Sequence, residues 1–298
     1  MKALTLPRAA RRINGAPEVV FGEEGVCMKN TNKKKKNLAL NIILVVAILC
    51  FLGSGGYLFK YYWDGWQKEK HMGELEDMIL DDDALSVSEE SGGDSSTGED
   101  SPGSKASSSN RYAKLLEANP DFIGWIEIED TKISYPVMYT PDDPEYYLHR
   151  NFEGEYEYSG LPFVDGACSI EPRSTNVIIY GHNMKNDTMF SHLLDYQDEE
   201  FYQEHPYITF NTIYGDAEYE IVSVILSRAL YDNEEGFRYY GMVEASSEEE
   251  FNEYMDGIRA LELYDTGVET SYGDELLTLS TCEYSQENGR LAIVAKKR

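Results

Sequence analysis

The chain has 298 residues, and its charge is divided very unevenly along its length. The first 37 residues carry nine Lys/Arg and three Asp/Glu, a net charge of +6, whereas the remainder carries 17 basic and 51 acidic residues, a net charge of −34. A body this acidic excludes nucleic acid as a partner, because it could not neutralise phosphates. The four cysteines form no C-x-x-C pair, which argues against a zinc site or a thioredoxin-like centre.

Residues 1–37 are predicted to be a basic cytoplasmic segment, with Met28 as the true initiator, because residues 1–27 show no hydrophobic periodicity. The next segment, residues 38–59, contains 22 residues without a charge. As a helix it would be about 33 Å long, enough for a hydrocarbon core of about 30 Å. The lysine run Lys33–Lys36 places the N-terminus in the cytoplasm by the positive-inside rule. The alternative is a cleaved signal peptide ending near Gly53–Gly56, but the apolar stretch continues past these glycines, which favours an uncleaved anchor.

Residues 60–110 are predicted to form an acidic, Ser/Gly-rich stalk. Between residues 69 and 110 there are 12 acidic and two basic residues, and Ser and Gly dominate from residue 91. Such a composition cannot bury a core, so we expect an extended, disordered spacer between the membrane and the domain that follows.

Residues 111–298 are predicted to form one mainly β domain, a mixed β-barrel with inserted helices. A short helix is expected at Arg111–Glu117, a second at Met189–Tyr202, and a third after Ser247, where Ser247 and Glu250 form a capping box. The predicted strands, separated by turn residues, are Phe122–Ile128, Ile133–Met138, Asn176–Tyr180, Tyr207–Asn211, Tyr219–Leu226, Leu276–Thr281 and Leu291–Ala295.

The last two predicted strands carry the first candidate site residues, Cys282 and Arg290. A polar loop joins them as a hairpin, which would bring the thiol of Cys282 close to the guanidinium of Arg290. A lone cysteine is more often a buried small hydrophobe, but an unpaired extracellular thiol is a liability unless it is used. Side-chain alternation puts Ser280 on the face of Cys282. The pair suggests a nucleophile beside an anion stabiliser.

The histidine best placed to serve Cys282 is His182. It follows a buried-looking strand, and Gly181 permits a sharp change of direction before it. Titratable groups at strand ends are typical of active sites. His71 falls in the stalk, and the other histidines (His149, His192 and His205) lie among polar and aromatic residues, as expected of surface or half-buried groups. No metal-ligand spacing occurs, and no cofactor is expected.

These motifs resemble those of sortases, and in particular class B sortases of Gram-positive bacteria. The resemblance rests on Tyr180–Met184, on Thr278–Cys282 with Arg290 eight residues later, and on Asp121–Ile126 and Asp187–Phe190. The helix at Ser247–Leu261 resembles the extra helix that class B members insert before the cysteine strand.

The resemblance implies a cysteine transpeptidase with an extracellular domain on a single membrane helix. Cys282 would cleave a Thr–Gly bond in the C-terminal sorting signal of a secreted protein, and an amine of a peptidoglycan precursor or a pilin lysine would resolve the thioacyl-enzyme. By position, His182 is the acid/base and Arg290 the oxyanion stabiliser. Ser280 and Leu148 are substrate-binding candidates. Pro144 stands where relatives can carry a polar substrate contact, which leaves the motif preference open.

Two other functions fit the residues alone. A Cys–His hydrolase would cut wall peptides or proteins without transfer to an amine. A non-catalytic wall-binding barrel would function unchanged after Cys282→Ala. The joint presence of Cys282, His182 and Arg290 favours the transpeptidase.

Overall fold

The structure, a computed structural model, describes residues 31–89, 111–231 and 233–298. The predicted start at Met28 and the stalk residues 90–110 lie outside these ranges. Contacts divide the chain into two units, one ending at Tyr62 and one running from Trp63 to Arg298. Helix α1 (Thr31–Glu89) begins in the first unit, where the side chains of residues 40–59 are exposed. Within the described ranges, α1 is the one helix long and apolar enough to cross a membrane, over Leu40–Ile79.

The second unit includes the C-terminal part of α1, which packs on the domain that follows. Leu75 is only 2% exposed and joins a cluster of buried side chains that includes Trp125 and Tyr147. Nearby, His71 Nε2 lies 2.9 Å from a carboxylate oxygen of Glu153. This part of the chain is therefore attached to the barrel by both apolar and polar contacts.

The helical conformation of residues 60–89 differs from the extended stalk that the composition predicts. Met72, Leu75 and Ile79 recur at the i, i+3, i+7 spacing of one helix face, and all three pack in the same apolar cluster. Their acidic neighbours dominate the average composition and obscure this pattern. This apolar face packs against the barrel surface, and its burial stabilises the helix.

Eight strands form a closed barrel in the order β1-β2-β3-β4-β7-β8-β6-β5. The pairs β2–β3 and β4–β7 are parallel and the other pairs with a described register are antiparallel, which confirms the predicted mixed barrel. The strands are β1 (Phe122–Glu127), β2 (Ser134–Met138), β3 (Phe163–Val164), β4 (Asn176–Tyr180), β5 (Tyr207–Thr212), β6 (Glu218–Arg228), β7 (Leu276–Cys282) and β8 (Gly289–Lys297). The two-residue β3 was not predicted, because it is too short to show a pattern.

Strands β4 and β7 lie side by side in the barrel wall and terminate at the same end of the barrel. Every residue of β7 from Leu276 to Thr281 is buried, and Cys282 at its end is half-buried. Continuous burial explains why these strands read as apolar runs without alternation. Tyr180 and Ser280 are paired in register, so the residues that follow each of them in the chain lie close together.

Among the described residues, three short α-helices accompany the barrel: α2 (Ala113–Ala118), α3 (Glu199–Glu204) and α4 (Glu248–Arg259). The prediction for α4 is confirmed. The Ser247 side chain accepts a hydrogen bond from the Glu250 backbone N–H, and the buried face consists of Phe251, Tyr254, Met255 and Ile258. The helix lies between β6 and β7 in the chain, and it packs on the face of the barrel that β6 and β8 provide.

The single helix predicted at Met189–Tyr202 is wrong in its detail. The structure has a 3₁₀ helix at Phe190–Gln197, followed by α3. Between them Asp198 is extended, with φ −95° and ψ 121°, and its side chain accepts from the Glu200 backbone N–H. A short carboxylate side chain that hydrogen-bonds the backbone competes with helix continuation, so Asp198 ends one element and caps the next.

Candidate active site

A cavity of about 490 Å³ lies at the barrel edge where β4 and β7 end. All five residues predicted from the sequence line it: Cys282, His182, Arg290, Ser280 and Leu148. They come from four separate parts of the chain, so their convergence depends on the barrel topology. A concave site that gathers a thiol, an imidazole and a guanidinium is the natural place for nucleophilic chemistry.

Cys282 and Arg290 are directly paired across the β7–β8 ladder. The predicted hairpin is therefore confirmed, with the register that brings the thiol and the guanidinium together. Cys282 ends β7 as a half-buried residue, and Arg290 is the second residue of β8. The ladder fixes the spacing of their Cα atoms without help from any loop.

The loop that carries His182 is tied to the cysteine strand by three hydrogen bonds. Gly181 N donates to Ser280 O at 3.1 Å, and Thr281 Oγ1 donates to Gly181 O at 2.8 Å. Asn183 Nδ2 then donates to Cys282 O at 2.9 Å. These bonds lie on both sides of His182 and hold its backbone beside the thiol.

Gly181 is needed for close packing at the end of β4. A Cβ at this position would lie 2.5 Å from the ring of Phe190, well inside van der Waals contact. Phe190 is fully buried and begins the 3₁₀ helix. A side chain at residue 181 would therefore displace the turn that presents His182.

The protonated nitrogen of His182 follows from its partner. Nε2 lies 2.9 Å from the backbone oxygen of Leu148. A carbonyl only accepts hydrogen bonds, so Nε2 carries the hydrogen and, in the neutral ring, Nδ1 has the free lone pair. Burial lowers the pKa of His182 below its ordinary value of 6.5; the bond to Leu148 opposes this shift and the charge of His149 adds to it.

Arg290 is held in place by the turn that precedes β8. Its Nη1 donates to Gly289 O at 2.9 Å and to Asn288 O at 3.3 Å. Both bonds use Nη1, and a guanidinium has further N–H donors on Nε and Nη2. The side chain lines the cavity, where these donors can meet a developing negative charge.

Beneath the thiol, Ser280 is buried and bonded to a residue that the sequence did not single out. Its Oγ lies 2.8 Å from the hydroxyl of Tyr239, and both residues are 1% exposed. Burial raises the pKa of Tyr239 to about 12, whereas the bond to Ser280 and the charge of Arg290 lower it. The tyrosine therefore stays neutral. Ser280 is less free to contact a substrate than its position on the face of Cys282 predicts.

Tyr239 is itself held by a buried polar network under the cavity. Tyr254 of α4 donates its hydroxyl to Tyr239 O at 2.7 Å and accepts from Asn176 Nδ2 at 3.3 Å. Asn176 also accepts from Thr278 Oγ1 at 3.0 Å. The network joins β4, α4 and the cysteine strand, and every partner is buried. The chain has 23 tyrosines, and no pattern in the sequence distinguishes Tyr239 and Tyr254 from the others.

Another part of the cavity wall combines apolar and acidic groups. Leu148 and Pro144 line it together with Asp165, which accepts from the Tyr180 hydroxyl at 2.8 Å. Gly166 lies directly beneath Pro144, where a Cβ would overlap the proline ring. Pro144 is thus fixed in the cavity wall, in the position where the sequence predicted a departure from related enzymes.

The remaining histidines differ in their surroundings. His192 lies 2.7 Å from Asp195, and His205 stacks on Phe201, as expected of structural groups. His149 is half-buried, as predicted, and its ring centroid lies 5.2 Å from that of His182. Sequence spacing does not indicate this contact, because more than 30 residues separate the two histidines.

Cys168 and Cys282 are both free thiols. Cys168 is 2% exposed, its Sγ donates to Asn176 O at 3.5 Å, and burial raises its pKa to about 12. It is therefore an inert core residue. Within residues 31–89, 111–231 and 233–298, no group of three His, Cys, Asp or Glu side chains has an arrangement suited to a metal ion.

Comparisons with known proteins agree on one family. A family model described as the sortase domain matches residues 126–298. Sortase B of Listeria monocytogenes is 35% identical over 184 residues, which cover 61% of this chain and 72% of that protein.

Two solved structures have the same fold at 24% identity and a TM-score of 0.63. They are a Staphylococcus aureus sortase B–substrate complex and a sortase B complexed with triglycine. Each aligns with 78% of this chain and with 96% and 97% of the respective structure.

The fold and the site thus define a barrel protein with a thiol, an imidazole and a guanidinium in one cavity. The chain belongs to the sortase family of cysteine transpeptidases. Its similarity is to the class B members of that family.

Proposed function

We propose that this protein is a membrane-anchored class B sortase that cleaves the C-terminal sorting signal of secreted proteins at a Thr–Gly bond. The threonine would then be joined to an amine of a peptidoglycan precursor or of a pilin lysine. The observation that carries the proposal is the pairing of Cys282 with Arg290 on the cavity that also holds His182.

Cys282 is the proposed nucleophile. Its thiol transfers a proton to His182, and the thiolate attacks the carbonyl carbon of the signal's threonine, forming a C–S bond. His182 Nε2 is engaged with Leu148 O, so Nδ1 is the nitrogen that takes this proton. The half-buried end of β7 leaves the thiol open to the cavity.

Arg290 is the proposed stabiliser of the tetrahedral intermediate. The carbonyl oxygen becomes negative when the thiolate adds, and the N–H donors of Arg290 lie on the same cavity. The backbone bonds of its Nη1 hold the guanidinium before substrate arrives, so little reorganisation is needed.

His182 completes both halves of the reaction as acid and then base. As the C–N bond breaks, Nδ1 returns its proton to the leaving glycine amine, and a thioacyl-enzyme remains. The incoming amine gives a proton to Nδ1 and attacks the thioacyl carbon, and the C–S bond breaks to release the Cys282 thiolate. The lowered pKa of His182 favours donation of the proton to the leaving amine, because it makes the imidazolium a stronger acid.

The proposed substrate groove runs from Cys282 toward Leu148 and Pro144. These side chains supply an apolar wall, whereas the carboxylate of Asp165 supplies an acceptor. Two sortase B structures of the same fold hold a substrate and triglycine, which supports a peptide donor and an amine acceptor for this chain.

The proposed location is the outer face of the cell membrane. Residues 38–59 would form the single anchor, with residues 1–37 in the cytoplasm and residues 111–298 outside. The support is the length and apolar composition of α1 and the lysine run at Lys33–Lys36.

The test uses the full chain in detergent with a library of peptides ending in candidate sorting signals. Cleavage and transfer are measured by mass spectrometry with and without triglycine, a peptidoglycan-stem amine or a lysine peptide. We expect an acceptor-dependent transfer product that retains the threonine. The preferred acceptor separates wall anchoring from pilus assembly.

Two variants complete the design. Cys282→Ala should abolish both cleavage and transfer, whereas Cys50→Ala, which removes an exposed thiol of α1, should change neither. Cleavage at the same rate with no transfer to any amine would instead identify a Cys–His hydrolase. Retained function in Cys282→Ala would indicate a non-catalytic binding barrel.

A further inference from the structure

Three aromatic rings lie nearly parallel at the His182 side of the cavity. The centroids of His149 and His182 are 5.2 Å apart with an interplanar angle of 19°. Tyr158 is parallel to His182 within 9° at 6.3 Å and to His149 within 17° at 5.7 Å. Each ring therefore contacts the other two in an offset-parallel arrangement, which is a favoured geometry for aromatic pairs.

The segment that carries these rings is closed by its own hydrogen bonds. His149 Nδ1 lies 2.9 Å from Tyr158 O, so Nδ1 carries a hydrogen and donates it. Glu157 N donates to His149 O at 3.0 Å, and Leu161 N donates to Tyr147 O at 3.1 Å. These bonds within residues 147–161 hold His149 against Tyr158.

Besides the ring of Tyr158, two further groups of the same segment contact His182. The carbonyl of Leu148 accepts from Nε2, and the neighbouring ring of His149 packs against the imidazole face. One contact fixes which nitrogen is protonated, and the other restricts rotation of the ring about its side-chain bonds. Tyr158 is 65% exposed, so its ring does not serve the core of the barrel.

The charges that face His182 come from three elements. His149 and Tyr158 belong to the 147–161 segment, and Cys282 of β7 and Arg290 of β8 line the same cavity as His182. A protonated His149 disfavours a second positive charge on His182, and it is the one histidine among these groups. The state of His149 therefore affects how readily His182 holds its proton.

We propose that His149 and Tyr158 are positioning residues for His182: their rings hold the imidazole with Nε2 on Leu148 O, which leaves Nδ1 free to exchange protons with the thiol. This inference rests on the proposed role of His182 as acid and base. It adds a second histidine to the active site of this chain, acting through the first.

The test compares His149→Ala, His149→Phe and Tyr158→Ala in the full chain, with His192→Ala as a matched histidine outside the cavity. Transpeptidation is measured as kcat and KM across the range from acid to mildly alkaline pH. The His182 ring protons are followed by NMR over the same range.

We expect His149→Ala to lower kcat about tenfold and to change KM by less than about twofold. The loss in kcat is smaller than the roughly 10²–10⁴-fold that a positioned acid/base contributes, because His182 itself remains. His149→Phe keeps a ring on the imidazole face and should retain most of kcat. Both variants should titrate His182 at a higher pH than the wild type, because a neighbouring positive charge is gone. Tyr158→Ala should also lower kcat, with a smaller upward shift of that titration than in the His149 variants, because the charge of His149 remains.

A purely structural role would reduce thermal stability and leave the His182 titration and kcat of the folded protein unchanged, which would overturn the inference. If His149→Ala does not fold, His149→Phe still tests the inference, because it keeps an aromatic ring at this position. If His149→Ala behaves as wild type while Cys282→Ala is inactive, the inference fails and the proposed function stands. If the wild type transfers no peptide to any amine, the proposed function fails as well.

Discussion

The imidazole Nε2 of His182 donates to the backbone oxygen of Leu148, 2.9 Å away and 34 residues earlier in the chain. This bond decides which ring nitrogen can exchange protons with Cys282, and it needs no side chain from its partner. A substitution at Leu148 that keeps the backbone in place would preserve the bond while altering the groove. The segment that shapes the proposed peptide site therefore also orients the proposed acid and base.

Replacing Arg290 tests the anion site. We expect Arg290→Ala to lower kcat by about 10²–10³-fold, the usual loss when one donor to an oxyanion is removed. Arg290→Lys should recover only part of this loss, because a lysine ammonium lacks the planar fork of a guanidinium. Steady-state kinetics with a labelled signal peptide measures both variants. An Arg290→Ala enzyme with unchanged kcat would contradict the assignment.

The pKa of His182 predicts how stability depends on pH. Burial lowers this pKa below 6.5, so the folded state binds the proton less readily than the unfolded state. The contribution of neutral His182 is present above pH 6.5 and is lost as pH falls through the lowered pKa. We expect His182→Gln to lose less stability than the wild type as the pH falls from 6.5 through the lowered pKa. Urea unfolding at several pH values measures the unfolding free energy of both proteins. An identical dependence of that free energy on pH would contradict the prediction.

The buried pair of Tyr239 and Ser280 should be energetically coupled. Tyr239→Phe leaves the Ser280 hydroxyl buried without its partner, which costs about 1–3 kcal/mol of unfolding free energy. Ser280→Ala leaves the tyrosine hydroxyl in the same situation. The double variant removes both groups, so its loss should be smaller than the two single losses combined. Urea denaturation of the four proteins gives the coupling, and strict additivity would count against the pair.

The packing of α1 on the barrel can be tested at Leu75. We expect Leu75→Ala to lower the unfolding free energy by about 2 kcal/mol, the lower end for a buried leucine, because the helix can partly detach. Hydrogen exchange of residues 63–79 should increase with it. Asp77→Ala, at an exposed position of the same helix, is the matched control and should leave exchange in this segment near the wild-type rate.

Most of the fold was visible in the sequence because apolar runs and turn residues report burial directly. The cysteine hairpin is one case: Leu276–Ala295 predicts both its strands and the approach of Arg290 to Cys282, since a register across a short loop has few alternatives. Helix α4 is another, because Ser247 and the i, i+3, i+4, i+7 face mark its start and its buried side. The prediction of an extended stalk was wrong for residues 63–79, because the acidic composition of the segment obscured a narrow apolar helix face.

The sequence by itself determined the chemistry of the hairpin on which Cys282 and Arg290 lie, because neighbouring strands are a local property of the chain. Only the tertiary structure decided what surrounds it. Parallel pairing of β4 with β7 brings His182 to the thiol, and a distant segment supplies Leu148 O, His149 and Tyr158. These contacts join residues far apart in sequence, where no periodicity or spacing records the approach, so the orientation of the proposed acid and base is a product of the folded barrel.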